Sequence, residues 1–385
     1  MAAGTLGALS SPVHCSTFWF NGINNSWGVM QAALFEQGLT STSTLSFVGS
    51  LSITCCVVFS LLSVRFMRSV AARIAALIGV TMLGIGELMS DYTTSNVAGL
   101  FGTAGVLYGS GSSLCFIVTS VLPSQYFSSK LGLANGLVKF AGGIGGAVLS
   151  IGLDKLIINV GTAWTFRIVG ILCLATGIPV TFLVKELNPP RGRAPFLDLS
   201  MFRNWAFACI FLVGSTGVFA LFVPTVLSST FCTISGDSLP QLGSGVLCDR
   251  IGAVNTFLLA SLINAISMFA IWPVRDMLPT LVVFAIINGI ANGAFFTTLP
   301  TVLGSIYGPA RTGVAIGMAT TGWSIGYFMG TPMAGYLLQA AGGVKQGSIK
   351  SYRPAILYAG GIALLSALLA LVARLKLDAK WLKKV

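Results

Sequence analysis

Ionisable side chains that fall inside long apolar segments are the residues of this chain best suited to bind a polar solute. Such groups are costly in a membrane and usually face the protein interior. Lys139 is the clearest example, on a stripe of small and polar residues spaced three or four apart, so that they share one helix face: Gly136, Lys139, Gly143, Gly146 and Ser150. We predict that Lys139 reaches an interior cavity. The alternative is that it snorkels to the nearby cytoplasmic surface.

Uncharged polar side chains define further candidate faces. Amides both donate and accept hydrogen bonds, so they suit a carboxylate or hydroxyl solute in a wet cavity. The alternative is that they join helices, at about 0.6 kcal/mol per contact. Together with the charged Lys139, the predicted solute-binding residues are Asn21, Asn24, Gln31, Tyr108, Asn288, Asn292, Trp323 and Tyr327.

An acidic–basic pair between glycines, Gly245-Val-Leu-Cys-Asp249-Arg250-Ile-Gly252, lies at the edge of an apolar stretch. We predict a cytoplasmic loop that acts as a conformational latch. Asp249 would lie at the N-terminal end of the next helix, where the helix dipole favours an anion, and Arg250 would bridge to a neighbouring helix. Gly245 and Gly252 would permit close packing and a tight turn. The alternative is a charge pair that only orients the loop.

Catalytic and metal sites are not predicted. The one histidine, His14, is not part of a metal-ligand motif, and the eight cysteines lie mostly in apolar segments without a CxxC pair. Gly142-Gly-Ile-Gly-Gly146 is followed by no Lys-Ser/Thr and is a helix-packing element rather than a nucleotide loop. Glu87 and Arg167 are expected near the outer face, as snorkelling or gate residues. We predict no enzyme activity and no cofactor.

The composition defines the elements that must position these residues. Charged residues make up 8% of the chain and hydrophobic residues 55%, with a mean hydropathy of +0.88. A soluble protein carries about 25% charged residues. The chain is therefore predicted to be an all-α polytopic membrane protein. Its net charge of +12 is spread over short clusters between apolar runs, which indicates membrane topology rather than nucleic-acid binding.

Eleven apolar runs are long enough to be candidate spans. They cover residues 15–36, 45–66, 74–91, 97–122, 132–153, 163–185, 205–227, 253–273, 279–304, 312–338 and 355–375. The basic clusters place both termini and the central loop in the cytoplasm. The loop is rich in proline and basic residues, so we predict an N-terminal six-helix bundle (1–188), a linker (189–204) and a C-terminal bundle (205–385).

The two halves resemble each other at a nearly constant offset. The segment from Ser63 to Arg73 echoes the latch 181 residues earlier, with Met67 in place of the acid and Ala71 in place of the second glycine. Ala134-Asn-Gly136 and Ala315-Ile-Gly317 also lie 181 residues apart. Parallel repeats of this kind build transporters whose halves rock around a central site.

The second half lacks the residues for a normal eighth span. Residues 228–248 contain Asp237, Pro240 and many hydroxyl side chains, whereas a span needs about 20 mainly apolar residues. Without this crossing, Asp249 and Arg250 would lie outside, against the charge bias. The chain is therefore predicted to be a shortened variant of a twelve-helix parent. A strained short crossing and a genuine eleven-span protein are the alternatives.

These motifs resemble the major facilitator superfamily, and within it the monocarboxylate-porter branch, particularly its fungal members. The resemblance rests on Gly105–Gly111, Tyr126–Gly136, Gly142–Gly146, the Ser26-Trp-Gly-Val signature and the 245–252 element. Characterised animal porters carry an arginine where this chain has Gln241 and a lysine where it has Gln31. Those two differences count against monocarboxylate transport.

The resemblance implies a transporter of a small organic solute, a monocarboxylate among the candidates, moved by alternating access with or without a coupled proton. The solute site would lie near the bilayer midplane between spans 1, 4, 5, 7, 10 and 11. The expected partners are the lipid bilayer and the solute, not nucleic acid, and the expected location is the plasma membrane or an organelle membrane. A transport-inactive sensor or scaffold and a truncated gene model are the alternatives.

Overall fold

The described chain is helical. The computed structural model describes residues 2–127, 130–187, 198–221, 238–271, 278–340 and 349–377. In the first half the helices are α1 (Ala2–Glu36), α2 (Thr42–Val58), α3 (Ser60–Val70), α4 (Ala72–Asp91), α5 (Val97–Leu100), α6 (Tyr108–Tyr126) and α7 (Leu131–Thr181). In the second half they are α8 (Trp205–Leu221), α9 (Ser238–Ile251), α10 (Ala253–Ile266), α11 (Leu278–Thr321), α12 (Trp323–Ala340) and α13 (Ile349–Leu377).

Short π-helical segments Phe101–Leu107 and Ser267–Ile271 precede α6 and follow α10, and a 3-10 turn, Leu199–Arg203, precedes α8. No strand occurs within these ranges. The predicted all-α membrane fold is confirmed.

The first compact unit comprises Met1–Tyr126, Val138–Phe196 and Pro309–Gly317. Its central helix is α6, which is buried along most of its length and packs against α1, α2, α3 and α4. Polar contacts tie α6 to its neighbours, because buried hydroxyls need partners in an apolar medium. The Tyr108 hydroxyl donates to the Phe20 carbonyl at 2.7 Å, and Ser63 Oγ donates to Ser113 Oγ at 2.9 Å.

The second unit comprises Phe127–Leu137, Leu197–Gly308 and Met318–Val385. Its core is formed by α13 against α8 and α10. Small side chains recur every fourth residue along the buried face of α13, which allows helices to approach closely: Ala355, Ala359, Ala363 and Ala367. Near the end of α13 the buried Arg374 donates to the side-chain oxygen of Asn255 on α10.

Two long helices each contain a sharp break at a glycine with positive φ. Gly161 (φ 79°) divides α7, so the predicted spans 132–153 and 163–185 lie on either side of it. Gly308 (φ 64°) divides α11 in the same way. By length and composition, six described helices could cross a membrane, or seven if the bent pair α2–α3 is one span. The chain is therefore a multi-pass membrane protein.

The predicted weak stretch, residues 228–248, is described only from residue 238. There α9 forms 14 helical residues, and the latch residues up to Ile251 belong to it. The expected loop is therefore wrong in part. Helices α9 and α10 meet directly at Gly252, whose φ of 101° turns the chain without a longer connection. Residues 228–237 lie outside the described residues.

Candidate functional site

Lys139 is the central charged residue of the first unit's candidate site. Its side chain is 6% exposed, and its ammonium lies 4.8 Å from the centroid of the Phe116 ring on α6. The snorkelling alternative requires the ammonium to reach the surface, which this burial does not allow. Among the described residues, no carboxylate pairs with it.

Small residues beside Lys139 bring α7 against α1. A Cβ atom at Gly142 would lie 2.5 Å from the Asn21 amide nitrogen, and one at Gly145 would lie 2.5 Å from the Phe18 carbonyl oxygen. Gly142 and Gly145 lie outside the predicted stripe, and only glycine lets the two backbones approach so closely. Of the stripe residues, Gly146 also faces α1, since a Cβ atom there would lie 3.0 Å from the Asn25 Cβ. Asn21 and Lys139 therefore belong to one helix pair.

Asn24 and Tyr108 line a small cavity inside the first unit, together with Trp27 and Ser52. Ser52 Oγ donates to the Asn24 side-chain oxygen at 3.2 Å, and the Asn24 amide nitrogen donates to the Phe20 carbonyl at 3.0 Å. Glu87 of α4 lines the same cavity and is 4% exposed. The expectation that Glu87 snorkels is wrong, because its side chain lines a cavity inside the unit, whereas a role as a gate residue stays a prediction.

Arg167 and Gln31 have structural partners. Arg167 forms an ion pair with Asp91, and its guanidinium lies 4.8 Å from the centroid of the Trp164 ring. Gln31 Nε2 donates to Ser46 Oγ at 2.8 Å and so joins α1 to α2. Gln31 makes the helix-joining contact that was the alternative to solute binding.

The second unit holds the other predicted solute-binding residues. Asn288 Nδ2 donates to Asn264 Oδ1 at 2.8 Å and to Ser267 Oγ at 3.3 Å, which joins α11 to α10. Asn292, one turn later, has a buried side-chain oxygen with no hydrogen-bond partner. The Asn292 side-chain oxygen is therefore an unused acceptor inside this unit.

Trp323 and Tyr327 belong to an aromatic cluster in this unit. The Trp323 ring lies 5.7 Å from Phe296, 6.1 Å from Phe295 and 6.4 Å from Tyr327, measured between centroids. Trp323 is 2% exposed and Tyr327 is 9% exposed. Both side chains are therefore buried, and Trp323 packs against Phe295 and Phe296 of α11.

The latch residues form a clasp, defined here as Asp249, Gly245, Gly132 and Leu133. The Asp249 carboxylate accepts hydrogen bonds from the backbone N–H groups of Gly132 at 2.9 Å and Leu133 at 2.8 Å. These donors are at the first turn of α7, where backbone N–H groups have no intrahelical partner and the dipole favours an anion. Asp249 was predicted to lie at the start of the next helix along the chain, α10, but the helix start that it binds is that of α7. Asp249 caps α7, which is far away in sequence.

Close backbone contact holds the clasp together. A Cβ atom at Gly245 would lie 2.5 Å from the Gly132 carbonyl oxygen, and one at Gly136 would lie 2.8 Å from the Gln241 carbonyl oxygen. The predicted bridge from Arg250 does not occur, since its side chain is exposed and makes no hydrogen bond or ion pair to another described residue.

The first-half counterpart of the clasp differs, as its sequence suggests. Ala71 takes a positive φ (77°), as Gly252 does in the second half (101°). This match sets the offset at 181, so the residue in place of Asp249 is Arg68 and not the predicted Met67, which is buried. The acid comes from elsewhere: Glu186 accepts a hydrogen bond from the backbone N–H of Ala72 at 2.8 Å, at the start of α4. Sequence reasoning missed this contact, as well as the partner helix of Asp249.

Comparison with known proteins agrees with this architecture. The family model described as Major Facilitator Superfamily matches residues 14–243 and 238–383. The chain is 25% identical over 397 residues to the agnestins efflux protein AgnL12 of Paecilomyces divaricatus, covering 96% of this chain and 87% of that protein. It is 27% identical to MFS-type transporter 1 of an Ophiocordyceps species (96% and 85% covered) and 26% identical to monocarboxylate transporter 10 of Rattus norvegicus (84% and 72% covered).

Solved structures show the same fold. The human organic anion transporter MFSD10 superposes with a TM-score of 0.71 at 12% identity, covering 94% of this chain and 99% of that one. The proton:xylose symporter XylE gives a TM-score of 0.73 at 12% identity, covering 96% and 95%.

The family match and the transporter names of its relatives identify the class of protein as a non-enzymatic membrane transporter. The chain belongs to the major facilitator superfamily. It is a membrane transporter of small solutes, with fungal transporters and a monocarboxylate transporter among its relatives, as its motifs predicted.

Proposed function

We propose that the chain moves a small organic anion, a monocarboxylate in the simplest case, across the membrane by alternating access. The observation that supports this is the buried ammonium of Lys139, whose described surroundings contain an aromatic ring and no anionic partner. A buried charge without a counter-ion is costly. A carboxylate solute would supply the missing partner, with the Asn21 amide nearby on the adjacent helix.

Gln31 and Gln241 replace the two cations of the animal porters, so an anion transporter of this family needs a cation at another position. Gln31 is engaged with Ser46, so it is not the cation that the animal porters place there. Lys139 provides a cation from a different helix. The anion would therefore be held from α7 rather than from α1, with the same charge complementarity.

Flux of radiolabelled lactate and benzoate into proteoliposomes tests the proposal. We expect Lys139→Met to lower the flux about 10- to 100-fold, since a hydrogen bond to a charged group contributes about 1.5–3 kcal/mol. Lys139→Arg keeps the charge and retains part of the flux. Lys155→Met is the matched control, because Lys155 is exposed on the same helix. Equal fluxes for Lys139→Met and Lys155→Met would refute the role of Lys139.

A second candidate is outward movement of a larger organic product. The names of two relatives, an agnestins efflux protein and an aspyridones efflux protein (Emericella nidulans, 25% identical), favour this direction. Flux measured separately in right-side-out and inside-out vesicles decides between uptake and export. Solute binding without flux in either orientation would favour the transport-inactive alternative.

A further inference from the structure

We infer that Glu87 binds and releases a proton inside the first unit, and that this proton is the ion coupled to solute movement. The second part of the inference rests on the proposed function. The site is the cavity of about 10 Å³ lined by Glu87, Asn24, Trp27, Ser52 and Tyr108, which has room for about one water molecule. An ionisable group at such a place in a membrane helix is a functional candidate by itself.

The Glu87 carboxyl has no partner that would hold it as an anion. It is 4% exposed, and no hydrogen bond or ion pair joins it to another residue in the part of the chain that the structure describes. Asp91, one turn later on α4, is also buried but has Arg167 as its cation. The contrast within one helix shows that burial of an acid here does not always come with a counter-charge.

Most polar hydrogens around the cavity are engaged elsewhere. The Tyr108 hydroxyl donates to the Phe20 carbonyl, Ser52 Oγ donates to Asn24, and the Trp27 ring nitrogen donates to the Leu45 carbonyl at 3.3 Å. The Asn24 amide gives one of its two N–H hydrogens to the Phe20 carbonyl, so one amide hydrogen of the lining is left over beside oxygen lone pairs. A carboxylate accepts several hydrogen bonds, whereas a neutral carboxylic acid brings its own donor. A lining with so few donors and no cation therefore favours the protonated form.

The charged and titratable groups near Glu87 are few. The Tyr108 hydroxyl on α6 and the Cys173 thiol on α7 are close enough to interact with it electrostatically. Both are ordinarily neutral at pH 7. Helices α1 and α2 contribute Asn24, Trp27, Ser52 and apolar atoms to the cavity. Opening of this cavity to water would remove the preference for the neutral acid, so that the proton leaves.

Glu87 and Lys139 are separate sites that lie beside different turns of the same helix, α6. Glu87 lies beside Tyr108, and Lys139 lies over Phe116, eight residues later on α6, or about 12 Å at 1.5 Å per residue. Asn24 lines the Glu87 cavity and belongs to the same helix as Asn21, beside the Lys139 stripe. Loss of the proton and binding of the anion can therefore influence each other through α1 and α6.

Infrared spectroscopy of the full-length protein in liposomes tests proton binding without knowledge of the solute. In a titration over about pH 5–9, we expect the carbonyl stretch of a protonated carboxylic acid to appear and disappear in the wild type and to be missing in Glu87→Gln. Glu36→Gln, an exposed acid at the end of α1, is the control and keeps the band. Asp91→Asn, a buried acid that already has a cation, also keeps it. Persistence of the titrating band in Glu87→Gln would overturn the inference.

Solute flux in the same liposomes tests coupling. A pH gradient should accelerate lactate or benzoate flux in the wild type and in Glu36→Gln, and leave Glu87→Gln at the rate measured without a gradient. Gradient-driven flux in Glu87→Gln would refute the coupling. If the wild type shows no flux but Glu87→Gln loses the band, the proposed function fails and the proton site stands. If Glu87→Gln is unstable, Glu87→Asp serves instead, since it must shift the pH at which the band titrates.

Discussion

Substitution of Gly245 by alanine tests the clasp most directly. The added Cβ would lie 2.5 Å from the Gly132 carbonyl oxygen and 3.1 Å from the Gly136 Cα. A carbon and a carbonyl oxygen rest at about 3.3 Å or more, so α9 must move from α7 by about 0.8 Å. Both contacts are to backbone at the start of a helix, which has little freedom to yield.

That movement also affects Asp249. Its two hydrogen bonds of 2.9 and 2.8 Å would lengthen to about 3.6 Å, beyond the range of a hydrogen bond. Overpacking contributes about 1–3 kcal/mol, and loss of a hydrogen bond to a charged group contributes about 1.5–3 kcal/mol. The helix preference of alanine over glycine offsets about 0.5–1 kcal/mol. We expect the free energy of unfolding to fall by about 2–4 kcal/mol.

Gly243 provides a matched control on the same helix. A Cβ atom there meets nothing within 4 Å, so Gly243→Ala should be neutral or stabilising by about 0.5–1 kcal/mol. Thermal unfolding followed with a thiol-reactive dye is a suitable assay, because Cys248 is 3% exposed beside the clasp. At about 2–4 °C per kcal/mol, Gly245→Ala should lower the Tm by at least about 4 °C. Equal Tm values for the two variants would refute the reasoning.

Two further predictions concern the same junctions. Ala71 and Gly252 both have positive φ with ψ near 150°, a conformation that strains any residue except glycine by about 1–3 kcal/mol. Ala71→Gly should therefore raise the free energy of unfolding and the Tm, and Gly252→Ala should lower both. A drop in Tm for Ala71→Gly would contradict this. Asp249→Asn should speed hydrogen exchange of the first-turn amides of α7, whose acceptor loses its charge, while Arg250→Gln should not, since Arg250 makes no described contact. Equal exchange in these two variants would show that the carboxylate does not hold the helix start.

The latch illustrates what could be read from the residues. The glycines and the acid of the 245–252 element predicted close packing and an anion at a helix start, and both features are present. The identity of the partner helix could not be predicted, because Gly132 and Asp249 are 117 residues apart and nothing local links them. The predicted bridge from Arg250 is wrong for a different reason. Its side chain is exposed, and an exposed cation gains little free energy from a fixed partner.

The buried charges show the same division. The stripe around Lys139 predicted an inward-facing side chain, and its burial against Phe116 agrees with this. Glu87 was expected near the outer face of the membrane as a snorkelling or gate residue, and its burial contradicts snorkelling. The position of a residue along a span does not reveal which side of the helix is covered by neighbouring helices. Only the packing of α1, α2 and α6 around α4 encloses its carboxyl.

The sequence by itself determined that this is a helical, multi-pass transporter of the major facilitator superfamily, since apolar length, sparse charge and repeated motifs are local properties. The tertiary structure decided which polar side chains are bonded to neighbouring side chains and which are left to bind a solute or a proton. Gln31, Asn288 and Arg167 are engaged with neighbouring side chains, whereas the Lys139 ammonium and the Glu87 carboxyl have no ionic partner among the described residues. The physical reason is that a buried group's role depends on whether another chain segment satisfies it, and only the folded protein brings those segments together.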